Sequence, residues 1–326
     1  MADVVRLKAP GGAEQLECVT IDLPAPQPDE IRIRQTAIGV NFIDIYQRMG
    51  LYPMSPPAIP GVEAVGVVTA VGANVTSPRV GDRIVYAGAP VGAYASERNL
   101  PAWRAVALPE SIADGAAASG FVKGITAHML LTRVYAVGAS AKVLIHSAAG
   151  GLGQVMTRWA RHLGATVIGT VGSDAKAMTA RNAGAHHVIV GRDADFASAV
   201  AKLTGDRGVD VAYDGVGGTT LAKTLQCVRP FGVVASIGQS AGAISPIDVE
   251  ELGPRRSLML ARPSVMAYMN GAADYRIAAD AVLSAMQQGI LPSVGKAYRL
   301  DQAAQAHADL EGGRSSGSLY LVPPSQ

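Results

Sequence analysis

The 326 residues carry a formal net charge of +2 and no run of like charges, so the chain does not read as a nucleic-acid binder. At 49% hydrophobic and 17% charged it can bury a large core and does not read as disordered. Its two cysteines, Cys18 and Cys227, show no C-x-x-C spacing; that excludes a disulfide scaffold and a cysteine-rich zinc site and fits a reducing compartment.

The N-terminal stretch MADVVRLKAP has charges at Asp3, Arg6 and Lys8 with no apolar run between them, unlike a signal peptide. No apolar run reaches the roughly 18 residues of a membrane span. A cytoplasmic protein is expected. Residues 1 to about 122 are rich in Pro and Gly, with short β-like runs such as IRIRQTAIGV, AVGVVTAVG and RIVYAG. Gly66, Gly72 and Gly81 punctuate them as turns between antiparallel strands do. From about Ser119 the texture changes. The runs KVLIHS, TVIGTV, HVIV, VDVAYD and GVVASIG alternate with helical patterns, which predicts βαβ units and a parallel sheet; SLMLA (257–261) would add a sixth strand. Beyond Arg262 the pattern predicts a helix through DYRIAADAVLSAMQQG and a closing strand at SLYLVP. The fold class expected is α/β: a Rossmann doubly wound parallel sheet (123–262) inserted into a β-rich domain (1–122 plus 263–326).

The most informative stretch is VLIHSAAGGLGQ. An apolar strand is followed by A-x-G-x-x-G, Ala148, Gly150 and Gly153, and then by an amphipathic helix. That is dinucleotide-turn spacing, with Ala in the first glycine slot. Gly150 lets backbone approach a pyrophosphate and Gly153 lets helix pack on strand, while Gly151, Leu152 and their neighbours offer N–H groups at a positive helix end. The second strand ends in Val171, Gly172 and Ser173, without the acidic residue that usually holds the ribose of NAD. Asp174 is read as the cap of the next helix. Lys176 either meets a 2′-phosphate or is an ordinary surface lysine. NADPH is the expected cofactor.

GVNFIDIYQRMG (39–50), PGVEAVGVVTAVG (60–72), VGDRIVY (80–86), AAASGFVKGITAHMLL (116–131) and HSAAGGLGQ (146–154) together resemble the zinc-free quinone oxidoreductases of the medium-chain dehydrogenase/reductase superfamily, the zeta-crystallin-like group. The resemblance runs nearly end to end. It implies that the β-rich part is a GroES-like catalytic domain, and it implies NADPH-dependent quinone reduction and a homodimer. Zinc relatives place Cys where Asn41 stands and His where Val62 stands, in GVE. Neither an amide nor an isopropyl group replaces thiolate or imidazole as a Zn²⁺ ligand. None of the six histidines has H-x-x-x-H spacing, and the pair His186–His187 precedes a strand.

Within the resemblance, Asn41 is expected near the nicotinamide ribose and the acceptor, or it satisfies a turn. Asp44 is the recurrent acid of its motif, or it ties down the loop. Tyr46 and Tyr52 line the acceptor pocket or are core aromatics. Thr126 contacts the nicotinamide or is a hydroxyl at a helix N-terminus. Gly238, Gln239 and Ser240 follow the fifth strand at the ligand-binding edge of the sheet. Arg262 comes after the sixth strand, close to the cleft that the family fold implies. Arg314, in GGRSSGS, reaches towards the 2′-phosphate or is a mobile surface arginine. Close relatives have an aromatic after the third strand; here Gly191 takes that place, and Arg192 is a candidate to supply charge instead. A quinone is a strong hydride acceptor, so no indispensable general acid is expected. Two alternatives stand beside quinone reduction: NADPH-dependent reduction of activated C=C bonds such as enones, and a non-catalytic, crystallin-like NADPH-binding protein.

Overall fold

The computed structural model describes residues 1–254, 256–291, 295–315 and 317–324. They form two compact units: Met1–Ile125 with Met266–Gln326, and Thr126–Val265.

The first unit is built on the long strand Glu30–Val40. It pairs antiparallel with Glu63–Val71, Glu97–Pro101 and Leu319–Val322. In its first half Ile31 and Ile33 face the core and alternate with Arg32 and Arg34, the period-2 signature of a half-buried strand. Past a register shift between Gln35 and Ala37, the last residues, Ala37 to Val40, are all buried. The C-terminal segment returns to this sheet: Leu319 and Leu321 join Ile38, Val40, Tyr94 and Tyr298 in one apolar cluster. The helix Ala272–Gln287 overlaps the predicted stretch 274–289, starting two residues earlier, and buries Tyr275, Ala278, Ala279 and Val282 at helical spacing.

The second unit holds a parallel sheet. In chain order its described strands are Lys142–Ile145, Thr166–Val171, His187–Val190, Val209–Asp214, Val228–Ser236 and Met259–Ala261. Across the sheet they run third, second, first, fourth, fifth, sixth, the Rossmann order. The central strands Lys142–Ile145 and Val209–Asp214 are buried almost throughout, as helix-covered strands must be. The helix Gly151–His162 packs Val155, Met156, Trp159 and Ala160 inward and ends at Gly164, whose φ of +85° and N–H bond to Arg161 O close it. No helix among the described residues is long and apolar enough to cross a membrane.

Candidate functional site

The strand Lys142–Ile145 delivers its chain to His146 and then Ser147, a non-glycine residue at φ +52°. That left-handed step is normally a glycine's role, and here a serine is held in it by the turn. Ser147 O accepts the N–H of Gly150 at 2.8 Å. The helix begins at Gly151 with Gly150 as N-cap. No acceptor among the described residues takes the N–H groups of Gly151, Leu152 or Gly153, so three backbone donors are open at a helix end. A Cβ on Gly153 would stand 2.2 Å from Ser147 O and 2.8 Å from Ala148 Cα, whereas one on Gly150 would meet only Ser147 O, at 3.2 Å. The two glycines therefore have different uses: one lets the helix close on the turn, and the other keeps the outer face of the turn bare. Ala148 fills the first slot because Gly169, across on the second strand, leaves room for its methyl; a Cβ at Gly169 would lie 2.7 Å from it.

The loops beside this turn are tied by buried polar groups. His146 bonds Thr170 and Thr224 through its two ring nitrogens, each at 2.9 Å. Thr224 in turn reaches Asp214, whose other oxygen accepts the N–H groups of Val216 and Gly217. Gly217, at φ +69°, leaves room for the backbone of Gln239, and Ser240 bonds Gly215 O at 3.1 Å. Gly238, Gln239 and Ser240 thus flank the same carboxyl edge. Arg262 donates to Ser236 Oγ at 2.7 Å, at the end of the fifth strand.

At the second strand's tip Ser173, not Asp174, is the N-cap; Asp174 is the first helical residue. The extended backbone of Ser173 (φ −161°) places it outside the helix, which corrects the expected cap by one position. Arg192 lies along Gly172, close enough that a Cβ there would meet its Cγ at 3.4 Å and its Nε at 3.5 Å. Lys176 follows one turn into the helix Asp174–Asn182. Thr126 sits half-buried in the last turn of the helix Asp114–Met129, so it is not a hydroxyl at a helix N-terminus. Arg314, in the first unit, is exposed and bonds Asp309 and Ala308 O, each at 3.0 Å.

The first unit assembles a second polar group set where the strand Glu30–Val40 ends. Asn41 is the N-cap of the helix Phe42–Arg48 and is nearly buried. Its Nδ2 donates to Glu63 at 2.7 Å, and its Oδ1 accepts from the Lys123 ammonium at 2.8 Å. Lys123 also reaches Val40 O at 3.3 Å, and Glu63 accepts the N–H of Val122 at 2.7 Å. Gly39 is required beside them, since a Cβ there would stand 2.2 Å from the Glu63 carboxylate. Burial pushes the Glu63 carboxyl up, against the pull of Lys123; burial pushes the Lys123 ammonium down, against the pull of Glu63 and Asp44.

Asp44 is wholly buried and accepts from Asn41 N at 2.8 Å and from the Tyr94 hydroxyl at 3.2 Å. Tyr94 also meets His307 Nε2 at 2.8 Å. Burial pushes Asp44 up to about 7, with the Glu63 charge adding to it and the hydrogen bonds opposing; burial and Arg48 hold His307 down to about 3. Arg48 itself makes a two-pronged pair with Glu311 at 2.7 and 2.8 Å. The two shifted groups act oppositely on stability. Asp44 favours the folded state fully below its unfolded value and loses that contribution as pH rises towards 7. His307, kept neutral, contributes fully above its unfolded value of about 6.5 and loses it as pH falls towards 3. Between about pH 4 and 6.5 the slopes oppose and nearly cancel. Asp44→Asn removes only the first, so its unfolding free energy, relative to wild type, should fall by about 1.4 kcal/mol per unit on acidification from pH 6 to 4.5. Denaturant titrations at both pH values measure this, and parallel pH dependence in the two proteins would contradict it.

Tyr46 is half-buried and Tyr52 is 42% exposed. Their rings meet edge to face at 5.6 Å, and Phe42 stands 6.0 Å from Tyr46, so three aromatics form one ridge after Asn41. Val62 is fully buried beside Glu63. No group of three or more His, Cys, Asp or Glu able to hold a metal ion occurs among the described residues. The side chains at the positions used by zinc relatives, an amide and an isopropyl, do not fit Zn²⁺. Lys123 and Glu63 stand inside motifs that the sequence displays, but nothing in those motifs gives either a role.

Comparison with known proteins gives two family models: the alcohol dehydrogenase GroES-like domain over residues 27–110 and the zinc-binding dehydrogenase model over residues 151–284. A 2-haloacrylate reductase from Burkholderia sp is 42% identical over 99% of both chains. Quinone oxidoreductase 1 of Escherichia coli is 38% identical over 99% of this chain and 100% of its own. The crystal structure of the Escherichia coli quinone oxidoreductase complexed with NADPH superposes with a TM-score of 0.95 at 38% identity, covering 98% of this chain and 100% of that one. With a GroES-like unit, a Rossmann unit and full-length identity at this level, the chain belongs to the quinone oxidoreductase family of the medium-chain dehydrogenase/reductase superfamily and is an oxidoreductase of that family.

Proposed function

We propose that this protein is an NADPH-dependent reductase that delivers hydride to a quinone without a metal. The observation that carries the reading is the character of the second strand's tip: Gly172, with Arg192 laid along it, then Ser173 and Lys176 one turn on, and no carboxylate where NAD is usually held. Two cations and a hydroxyl suit a 2′-phosphate. The open N–H groups of Gly151, Leu152 and Gly153 suit the pyrophosphate, and Gly238, Gln239, Ser240 and Arg262 border the same edge. The relatives crystallised with NADPH support the same coenzyme.

NADPH supplies a hydride from its nicotinamide. A quinone that takes this hydride and one proton from water becomes the hydroquinone, and its intermediate anion is a stabilised phenolate. The chain's tasks are to hold the coenzyme, to present Asn41 and the aromatic ridge of Tyr46 and Tyr52 to the acceptor, and to exclude water. Thr126 and Arg314 are proposed coenzyme contacts, and Asp44 is proposed to act by fixing the Asn41 loop. A homodimer is proposed as the assembly; the edge strand Met259–Ala261 leaves Met259 52% exposed, as a pairing edge would.

The resemblance to a 2-haloacrylate reductase favours a second reading, in which the hydride goes to an activated C=C bond and a proton donor matters more. Consumption of NADPH with a quinone, an enone and 2-chloroacrylate in parallel separates the two. Tyr52→Phe should leave quinone turnover within about two-fold and slow C=C reduction by about 10²-fold, the scale of a general acid. Lys176→Ala should weaken NADPH by about 10-fold, the scale of one charge-assisted hydrogen bond, and leave NADH unchanged. Equal weakening of both coenzymes would remove Lys176 from the site. No consumption with any acceptor would favour the non-catalytic reading.

A further inference from the structure

Asn41 and Val62 occupy the positions where zinc relatives keep metal ligands, and beside them stands a buried ammonium. Lys123 is 9% exposed, Glu63 0% and Asn41 7%, and Asn41 lies between the two charges. A lysine has only donors and an ionised carboxylate only acceptors. Chemistry therefore fixes which way the amide faces: Oδ1 towards Lys123 at 2.8 Å, Nδ2 towards Glu63 at 2.7 Å. The reversed amide would set donor against donor and acceptor against acceptor in a buried space. The described contacts use one of the two Nδ2 hydrogens, and the ammonium on Oδ1 polarises the amide and strengthens the other as a donor.

We propose that Lys123 is a positioning residue for reduction: with Glu63 it locks and polarises the Asn41 amide so that the remaining Nδ2–H meets the acceptor oxygen on which negative charge grows as hydride arrives. The inference rests on the reductase reading and adds the group that does a metal's electrostatic work. Lys123 is 9% exposed and commits two of its three N–H donors to Asn41 Oδ1 and Val40 O, so it acts through the amide and is not itself the donor to the acceptor.

The test compares wild type, Glu63→Gln, Lys123→Met and the double variant Lys123→Met/Glu63→Gln, with NADPH and a quinone. Lys123→Met alone strands a buried carboxylate and is expected to unfold easily. The double variant is neutral. Its introduced glutamine can keep the bond from Val122 N through its oxygen while its NH₂ donates to Asn41, which turns the Asn41 amide round. It should melt near wild type and bind NADPH within about two-fold, yet lose kcat by about 10²-fold, the scale of one lost oxyanion donor. Adding Asn41→Ala to the double variant should cost little more, because Lys123 acts through Asn41. A folded double variant with wild-type kcat would overturn the inference, as would losses that multiply when Asn41→Ala is added. A wild type that consumes no NADPH with any acceptor would instead overturn the reductase reading.

Discussion

Gly153→Ala should destabilise the Rossmann unit by about 2–3 kcal/mol and remove coenzyme binding with it, the cost of forcing a methyl into a closed contact. The new Cβ meets backbone, Ser147 O at 2.2 Å and Ala148 at 2.8 Å, so no side chain can rotate away. The start of the helix must back off from a turn already committed to a left-handed Ser147. Gly150→Ala is the control. Its φ of −73° is ordinary for any residue, and its one neighbour lies at 3.2 Å. That variant should unfold near the wild-type midpoint and still bind NADPH at least about 10-fold more weakly, a loss of about 1.4 kcal/mol. Thermal melts and coenzyme fluorescence titrations of the two variants separate the roles. Equal stability of both would mean that Gly153 does not hold a closed contact, and undiminished binding by Gly150→Ala would mean that the turn does not serve the phosphates.

Glu63→Ala should cost about 3–5 kcal/mol, the range for breaking a buried ion pair by removing one partner. The loss removes the stronger of the two carboxylate charges that act on the Lys123 ammonium, Asp44 being the other, and takes away the carboxylate that accepts from Asn41 Nδ2 and from the N–H of Val122. An exposed pair such as Arg299–Asp301 gives the comparison: Asp301→Ala should change stability by no more than about 1 kcal/mol. Urea unfolding of both variants checks the contrast. A Glu63→Ala protein as stable as Asp301→Ala would mean that the Asn41, Lys123 and Glu63 set is not a coupled unit.

The difference between these two predictions mirrors what the sequence can reveal. The Rossmann half is readable because strands covered on both sides are written as unbroken apolar runs, VLI and VAY among them, and because the glycine spacing sits between a strand and a helix. Ala148 in a glycine slot is readable as a departure; its compensation at Gly169 needs the sheet register. The polar set of the first unit is hardly readable. Lys123 sits in a helical stretch where a lysine reads as surface charge, and Glu63 draws notice mainly for the histidine missing before it. The pairs Arg48–Glu311 and Tyr94–His307 join residues 263 and 213 positions apart, and no local pattern announces them. A lone histidine without metal spacing says little in a sequence; the meaning of His307 lies in the Tyr94 and Asp44 that the fold brings to it. Ser173 displaces Asp174 as cap because backbone geometry, which residue type only biases, decides where a helix starts.

On the proposed reading an amide and an ammonium, with no metal ion, equip this chain to reduce a conjugated acceptor with NADPH. The most direct measurement is NADPH consumption with a quinone by protein dialysed exhaustively against a chelator and then assayed with and without added zinc. Full turnover after chelation and no gain from zinc are the expected result. Turnover that vanishes on chelation and returns in proportion to bound zinc would contradict it.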